Sequence, residues 1–256
     1  MSGWLRFDSI RRAIGEVHPQ IIVEMGCGEG AIGAWLAAQY RYFGVEPDDQ
    51  SRAVCSERLV LVGAGRVAGD AGALGVSSAS GDGRGGGHRA DAILAPGSAD
   101  LVCAFEVLEH IDDDRGALCE WREQLVERGS LLLSVPAHPQ KFGRADRRVG
   151  HFRRYAKADL THRIEAAGYE VLWCVSYGAG LGHILDFVRE ILARRAGMSD
   201  RVEAMSTAAS GRMYQPRSAL AVQIYRGLAL PFRWLQRPFA RTNFGTGWVV
   251  LAQRAS

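Results

Sequence analysis

Two segments of the chain carry side chains that could move a proton at neutral pH. His110 stands in "LEHI", and the segment "AHPQKFGRADRRVGHFRRYAKADL" at 137–160 holds His151, Arg154 and Tyr155. An imidazole titrates near neutral pH, so either histidine could act as a general base toward a hydroxyl group. Arg154 and Tyr155 could hold an acidic or hydroxylated substrate beside it.

The same side chains also have a structural interpretation, which stays open at this point. His110 could brace its loop without touching a substrate. Arg154 could pair with Asp146, and Tyr155 could pack against the helix that follows. No metal-ligand spacing stands out, although a His110/His151 pair is not excluded, and we expect no metal.

A glycine-rich stretch, "IIVEMGCGEGAIG" at 21–33, indicates where a cofactor binds. Gly28-x-Gly30-x-x-Gly33 fits the dinucleotide fingerprint of nicotinamide and flavin enzymes. The motif E-x-G-x-G-x-G that begins at Glu24 fits the nucleoside loop of enzymes that use S-adenosylmethionine. In both classes a strand ends, the backbone turns sharply and a helix begins, so the glycines alone do not choose the cofactor.

Three acidic residues help to distinguish the two cofactor classes. Glu24 lies inside the first predicted strand, where a carboxylate would repel a pyrophosphate but not a cofactor with an amino group and a sulfonium. Glu46 ends the second strand and could accept both ribose hydroxyls in either class. Asp70 ends the third strand and could accept a hydrogen bond from an adenine amino group.

Five motifs, taken together in their order and spacing, resemble the class I S-adenosylmethionine-dependent methyltransferases. Within that family the chain looks like the bacterial group that acts on small molecules and has a "VLEH" segment after strand four. The resemblance covers roughly residues 15–177 and 245–254. The motifs are E-x-G-x-G-x-G at 24–30, "GVEP" at 44–47, "GDA" at 69–71, "FEVLEH" at 105–110 and "LLLSVPA" at 131–137.

The resemblance implies S-adenosyl-L-methionine as cofactor, and it implies roles for the residues at the matching positions. Those that would face the methionine part are Glu24, Gly26, Cys27, Gly28 and Gly30, with Phe105 and Glu106 beneath the methionyl group. Those that would hold the nucleoside are Glu46 at the ribose, with Pro47, Asp70 and Ala71 at the adenine.

One departure from the family pattern leaves a second candidate for the adenine contact. Residues 75–89, "GVSSASGDGRGGGHR", have no periodicity and are interpreted as a flexible insertion. Asp91 follows this insertion in a stretch that imitates the adenine-contact motif. We favour Asp70, because "GRV" before it can form a strand and "GGGHR" before Asp91 cannot.

Short apolar runs alternate with helical patterns along the chain, which is typical of a parallel α/β sheet. We predict strands at 20–26, 41–47, 65–70, 99–111 (running into a turn), 130–136, 170–177 and 245–254. We predict helices at 4–16, 30–40, 48–59, 114–129 and 157–169. The fold class is therefore α/β, a Rossmann-like seven-stranded methyltransferase sheet, mostly parallel, with the last strand antiparallel.

The long gap between strands six and seven predicts a helical insertion. The methyltransferase core would be 1–177 with 245–256, and the insertion 178–244. Two stretches in it, 180–197 and 218–239, have apolar residues at helical spacing with arginines on another face. We expect a helical lid that shapes the acceptor pocket; a dimerisation element or a peripheral membrane contact are the alternatives.

Composition is that of an ordinary globular protein of 256 residues, with 47% hydrophobic residues and a net charge of +3. Five cysteines without a C-x-x-C pair suit buried thiols in a reducing cytoplasm. The first residues, "MSGWLRFDSIRRAIGEV", do not have the pattern of a signal peptide, and no run of 18 apolar residues predicts a membrane span.

The functional hypothesis is an enzyme that methylates a small-molecule acceptor, at oxygen, on a bulky or amphiphilic metabolite. The alternatives are N- or C-methylation of a natural-product intermediate, or a cofactor-binding partner subunit without turnover. Nucleic acid is not expected as a partner, because "FEVL" stands where such enzymes carry an "NPPY"-type segment and no basic stripe with interleaved aromatic residues occurs. A homodimer remains possible.

Overall fold

The computed structural model describes residues 5–70, 94–195, 230–232 and 234–256. Three predicted features lie outside these ranges: Ala71, the insertion at 75–89, and Asp91. The same is true of 196–229, which includes most of the second helical stretch predicted in 178–244.

One mixed sheet organises the described part of the chain. Its strands are β1 Ile21–Met25, β2 Arg41–Val45, β3 Arg66–Ala68, β4 Ala99–Phe105, β5 Leu125–Pro136, β6 Tyr169–Tyr177 and β7 Gly247–Arg254. They lie in the order β3-β2-β1-β4-β5-β7-β6. The first five are parallel, and β7 runs antiparallel to both β5 and β6. The predicted seven-stranded, mostly parallel sheet with an antiparallel last strand is confirmed.

Helices connect the strands and cover both faces of the sheet. They are α1 Phe7–Val17, α2 Gly33–Ala37, α3 Asp49–Leu61, α4 Asp114–Glu123, α5 Arg144–Arg148, α6 Lys157–Ala166 and α7 Leu181–Arg195. Aspartate side chains cap two of them: Asp48 accepts the Ser51 N–H at the start of α3, and Asp113 accepts the Gly116 N–H at the start of α4.

The helix predicted at 114–129 is wrong at its C-terminal end. Helix α4 ends at Glu123, and β5 begins at Leu125, which pairs with Ala99 at the start of β4. Arg128 has a φ of 59°, which a helix interior does not allow, and the ladder shifts register at this point. The buried pairing of Leu125 therefore outweighs the helical pattern of its neighbours.

Two hydrophobic clusters, one on each face of the sheet, form the core. Leu118 of α4 and Leu160 of α6 pack on one face, and Ile10 of α1 and Leu59 of α3 pack on the other. Neighbouring residues of a strand alternate between the clusters, as the period of two requires. The helices thus hold the strands in a fixed register, and the carboxyl ends of β1, β2 and β4 meet at one edge of the sheet.

The segment at 236–240 contacts the end of β6 and the residue after it. Gly178, after β6, donates its backbone N–H to Gln236 Oε1 at 2.7 Å, and Ser176 donates to the carbonyl of Ala240 at 2.8 Å. Helix α7 lies where the first insertion helix is predicted; the insertion as a unit remains a prediction. Within the described ranges, no helix combines the length and the apolar character that crossing a bilayer requires.

Candidate cofactor and acceptor site

The glycine loop after β1 contains three residues with positive φ, and they do not have the same surroundings. The φ angles are 64° at Gly26, 55° at Gly28 and 75° at Gly30. A Cβ atom at Gly26 would lie 2.6 Å from Val107 Cγ2, and one at Gly30 would lie 2.6 Å from Cys55 Sγ. A Cβ at Gly28 would meet nothing within 4 Å. The outer glycines are therefore required by packing, whereas Gly28 borders open space.

Glu46 joins the end of β2 to this loop. Its carboxylate is buried and accepts the Gly28 N–H through Oε2 at 2.8 Å and the Asp48 N–H through Oε1 at 3.0 Å. A carboxylate has about four acceptor positions, so two of them remain available for ligand hydroxyls. The neighbouring Pro47 is exposed, and its carbonyl accepts a hydrogen bond from Arg52 Nη1 at 3.1 Å.

Glu24 lies beneath the loop, inside β1. Its side chain is buried, and Tyr42 donates its hydroxyl to Glu24 Oε2 at 2.7 Å. Burial raises the pKa of Glu24 from 4.5 to about 7. The sequence analysis missed Tyr42, although its position opposite Ile22 in the parallel pair of β1 and β2 follows once the register is known.

Cys27 points beneath the loop. Its Sγ lies 3.7 Å from Cys55 Sγ, and this contact together with burial raises the pKa of the Cys27 thiol well above its usual value. Cys27 also anchors the turn through its backbone, because its N–H donates to the carbonyl of Val45 and its carbonyl accepts the Gly30 N–H. The side chain of Cys27 is therefore part of the packing under the loop.

Glu106 follows β4 and has an unusual backbone. Its φ is 59°, and its N–H donates to the carbonyl of Ser134 at 2.9 Å. Oε1 accepts the hydroxyls of Ser134 at 3.0 Å and Tyr177 at 2.8 Å, and Arg6 Nη1 lies 3.5 Å away. Strain of this kind persists only where the surroundings hold it. Nothing in the sequence signals Arg6 or Tyr177, since both reach Glu106 from distant parts of the chain.

The other predicted cofactor contacts lie around the same edge of the sheet. Phe105 is buried at the end of β4, with Arg6 Cζ 5.7 Å from its ring centroid. Asp70 is exposed just after β3. Since Ala71 and Asp91 lie outside the described residues, the choice between Asp70 and Asp91 stays a prediction.

His110 and His151 meet after β4, with ring centroids 4.5 Å apart in an edge-to-face arrangement. Burial, together with the neighbouring His151, lowers the pKa of His110 to about 4. His151 Nδ1 lies 3.0 Å from Asp146 Oδ1, and its Nε2 lies 3.8 Å from Glu109 Oε1. The two histidines predicted as candidate bases are thus brought together.

Glu109, which the sequence analysis did not single out, lies beside these histidines. Its side chain is 0% exposed, and neither carboxylate oxygen has a hydrogen-bond partner among the described residues. Burial and the neighbouring Glu106 raise the pKa of Glu109 well above its usual value. The adjacent residues "EH" at 109–110 do not indicate this cluster by themselves, because the partner His151 comes from another loop.

Arg154 is held between two carboxylates. Its Nε donates to Asp146 Oδ1 at 2.8 Å, and its Nη1 lies 3.5 Å from Asp186 Oδ2 on α7. Burial opposes ionisation of Asp146, but hydrogen bonds from His151 and Arg154 hold its pKa below the usual value. The predicted Arg154–Asp146 pair is present, and the contact between Arg154 and Asp186 connects α7 to the loop that carries His151.

Tyr155 lies in the core. It is 0% exposed, and its hydroxyl donates to Asp114 Oδ2 at 3.0 Å. Burial and the nearby Asp114 raise the pKa of Tyr155 above its usual range. The structural interpretation of Tyr155 therefore fits the geometry better than direct contact with a substrate.

Comparison with known proteins gives one family and several relatives. Residues 7–173 match the family model described as a methyltransferase domain. A Mycolicibacterium smegmatis protein described as a probable S-adenosylmethionine-dependent methyltransferase is 29% identical over 169 residues, which are 64% of this chain and 58% of that protein. The chain thus spans less than two thirds of the length of this curated relative.

Solved structures support the same fold at low sequence identity. The [4+2]-cyclase SpnF has a TM-score of 0.59 and 14% identity, with 97% of this chain and 80% of that chain covered. Phosphoethanolamine N-methyltransferase 2 of Haemonchus contortus, solved with S-adenosyl-L-methionine, has a TM-score of 0.55 and 12% identity, with 97% of this chain and 52% of that chain covered. At such identities the likeness concerns the fold alone.

Proposed function

Because the chain belongs to the S-adenosylmethionine-dependent methyltransferases, we propose that it methylates an oxygen atom of a bulky or amphiphilic small molecule. The bound cofactor supplies an electrophilic methyl group on a sulfonium. The remaining tasks belong to this chain's own residues: to hold the nucleoside, to align the acceptor and to take up the hydroxyl proton.

The glycine loop and Glu46 support the proposed mode of cofactor binding. Gly28 has positive φ and open space on the side where a Cβ would stand, so a ligand can approach the backbone there. Glu46 retains acceptor positions beyond its bonds to Gly28 and Asp48, and it would accept the ribose hydroxyls. Asp70 would contact the adenine, and Glu24 would face the methionine part of the cofactor from beneath the loop.

The geometry of His151 carries the proposal of an oxygen acceptor. Asp146 is held ionised by Arg154, so His151 Nδ1–H donates to it and Nε2 keeps its lone pair. A basic nitrogen in this position can take the proton of an acceptor hydroxyl as its oxygen attacks the methyl group. A neutral acceptor amine attacks with its own lone pair and would not need the same arrangement.

Helix α7 supports a bulky or amphiphilic acceptor. Ile184, Phe187 and Leu192 are apolar and exposed on this helix, and its Asp186 lies against Arg154. A lid built on α7 would thus be attached beside the His151 loop and offer an apolar surface. We further propose a cytoplasmic location, which the five free cysteines suit.

Binding of S-adenosylhomocysteine to Glu46→Gln tests the cofactor assignment. One amide oxygen cannot replace two carboxylate oxygens, so we expect calorimetry to show affinity reduced about 10- to 100-fold, as for lost hydrogen bonds to a charged group. The matched control Glu57→Gln, at an exposed position on α3, should bind as the wild type does. Equal affinity in both variants would contradict the assignment.

An acceptor screen tests the chemistry separately. Hydroxylated amphiphiles and the corresponding amines are incubated with cofactor, and products are identified by mass spectrometry. We expect methyl ethers, and His151→Asn should lower kcat more than it changes KM for the acceptor. Products methylated only at nitrogen or carbon would contradict the proposal of an oxygen acceptor.

A further inference from the structure

Three side chains near the carboxyl end of β4 have their polar atoms turned toward one another. One ligand atom each of Glu109, His110 and His151 can be chosen so that all three lie within 4.8 Å of one another. Glu109 and His110 belong to the short 3-10 turn after β4, and His151 belongs to the loop after α5. The cluster therefore depends on tertiary structure and has no spacing that the sequence could reveal.

The atoms that meet in this cluster are hydrogen-bond acceptors, and the described residues supply no donor to Glu109 or to His110 Nδ1. Both oxygens of Glu109 and Nδ1 of His110 are buried and have no hydrogen-bond partner among residues 5–70, 94–195, 230–232 and 234–256. The backbone of Gly150 hydrogen-bonds His110, which favours the proton on Nε2 and leaves a lone pair on Nδ1. Buried acceptors of this kind are costly unless a cation or a proton satisfies them.

His151 adds a third lone pair with a defined orientation. Its Nδ1 lies 3.0 Å from Asp146, and Asp146 is held in turn by Arg154 at 2.8 Å. Since Nδ1–H donates to this carboxylate, Nε2 faces Glu109 Oε1 at 3.8 Å as an acceptor. A histidine whose second nitrogen is fixed by a carboxylate is the usual arrangement around metal-ligating imidazoles.

We propose that Glu109, His110 and His151 bind one divalent transition-metal ion, through a carboxylate oxygen, Nδ1 and Nε2 respectively. Two imidazoles with one carboxylate suit Zn²⁺, Fe²⁺ or Mn²⁺ better than Mg²⁺ or Ca²⁺, which prefer oxygen ligands throughout. Three protein ligands leave coordination positions open. The side chain of His151 is 14% exposed, so solvent reaches one side of the cluster.

The role of the ion rests on the proposed function and deepens it. An open coordination position would take the acceptor's hydroxyl oxygen, and a divalent cation lowers the pKa of a hydroxyl that it binds. The proton then leaves to water, and the oxygen attacks the methyl carbon with its own electron pair. The carbon–sulfur bond breaks toward sulfur, which gives the methylated acceptor and S-adenosylhomocysteine. A bound ion would therefore replace the free Nε2 of His151 as the group that promotes loss of the hydroxyl proton.

Binding of Mn²⁺ and Zn²⁺ to the purified, chelator-treated and dialysed full chain tests the site without any acceptor. Loss of the free Mn²⁺ signal in electron paramagnetic resonance and calorimetry with Zn²⁺ should each give one ion per chain. Glu109→Gln and His151→Asn should lose this binding. His162→Asn, at an exposed position on α6, is the matched histidine control and should retain it. Equal binding in all four proteins, or none in the wild type, would overturn the proposal.

Thermal unfolding separates a metal site from a carboxyl group that is merely protonated. In the chelator-treated protein, Glu109→Gln should change the melting temperature little, because burial raises the pKa of Glu109 and an amide has the shape of the neutral carboxyl group that it replaces. It should also abolish the rise in melting temperature that Zn²⁺ causes in the wild type. Asp146→Asn should weaken metal binding about 10- to 100-fold through the orientation of His151. A Zn²⁺-dependent rise that survives in Glu109→Gln would overturn the site.

The outcomes also distinguish the site from the function. If one ion binds but no hydroxylated acceptor is methylated, the proposed acceptor chemistry fails and the site stands. If a hydroxylated acceptor is methylated at equal rates with and without chelator, the catalytic role of the ion is overturned while the proposed function stands.

Discussion

Burial and hydrogen bonding divide the candidate acid–base residues into two groups. Tyr155 and Arg154 direct their polar atoms at protein partners, Asp114 in the first case and Asp146 with Asp186 in the second. His151 Nε2 and the Glu109 carboxyl group lie 3.8 Å apart, and no hydrogen bond joins them. At the scale of single residues, we therefore propose the second group for the chemistry of the acceptor site.

Tyr155→Phe should affect stability and not turnover. The substitution removes one hydrogen bond to Asp114, which keeps Arg153 at 2.8 Å and Arg163 at 3.0 Å as partners. We expect the free energy of unfolding to fall by about 1–2 kcal/mol in chemical denaturation. The acceptor kcat should stay at the wild-type value, as in the control Tyr40→Phe. A large loss of kcat at unchanged stability would show that the hydroxyl contacts the acceptor.

Glu24→Gln should change how stability depends on pH. Burial raises the pKa of Glu24 to about 7 from 4.5, so the folded protein binds a proton here that the unfolded chain has released. This stabilising contribution is complete below pH 4.5 and is lost as pH rises through about 7. Its size is about 3 kcal/mol at 1.36 kcal/mol per pKa unit.

Denaturation of the cofactor-free protein between pH 4 and 8 measures this effect. Glu24→Gln should flatten the fall in stability across that range, while the exposed control Glu57→Gln should follow the wild-type profile. The other titratable groups that interact with Glu24 are unchanged in the variant. They are Tyr42, Arg6, Glu46, Cys27 and Cys103. A wild-type slope in Glu24→Gln would mean that another group is responsible.

The pattern of predicted strands identifies Glu46, because this residue ends the second predicted strand. Glu106 is predicted only by the resemblance to the methyltransferases, since it lies inside the strand predicted at 99–111. Glu109, Tyr42 and Tyr177 could not be predicted, because their partners come from distant segments through packing. The roles of the predicted residues toward the cofactor stay predictions.

At the scale of elements, the glycine loop predicts different costs for two similar substitutions. Gly26→Ala combines a positive φ with a Cβ 2.6 Å from Val107 Cγ2, so we expect a loss of about 3 kcal/mol in the free energy of unfolding. Gly28→Ala has positive φ but open space, so we expect about 1–2 kcal/mol, with a larger effect on cofactor binding.

A double variant checks the physical reason for this difference. Val107→Ala should recover part of the stability lost in Gly26→Ala, since it removes the collision and leaves the backbone strain. It should recover none in Gly28→Ala. Equal losses in both glycine variants, without recovery, would show that Val107 does not constrain the loop.

The periodicity of the sequence predicts the strands and most helices, but it fails at 125–129, where strand pairing determines the structure. The alternation of short apolar runs with helical patterns places all seven strands of the described sheet close to their observed positions. At 125–129 the pattern favoured helix, but Leu125 pairs with Ala99 and is fully buried. Sequence periodicity contains no information on such a non-local partner, which explains the error.

At the scale of the whole molecule, we expect cofactor binding and acceptor turnover to depend on different segments of the chain. Replacing 196–229 with a Gly/Ser linker of the same length should leave binding of S-adenosylhomocysteine intact, because the residues proposed to bind the cofactor lie elsewhere in the sequence. Acceptor turnover should fall roughly 100-fold if the lid positions the acceptor. The same exchange at 75–89 is the control and should leave turnover unchanged.

Two other outcomes of that exchange would replace the lid hypothesis with another role for the insertion. Normal turnover with loss of a dimer in light scattering would indicate a dimerisation element. Normal turnover with loss of binding to anionic vesicles would indicate a membrane contact. In both cases the assignment of the lid to acceptor binding would be wrong.

The point where the chain leaves the sheet has a consequence for how this protein can change. Tyr177 and Gly247 are directly paired partners at the ends of β6 and β7, so everything between them begins and ends at one place. The entropy of closing such a loop grows only with the logarithm of its length, about 0.6 kcal/mol for each doubling. Segments of different length and origin can therefore be grafted here at little thermodynamic cost. If this segment forms the proposed lid, substrate preference can diverge at this junction while the sheet stays as it is.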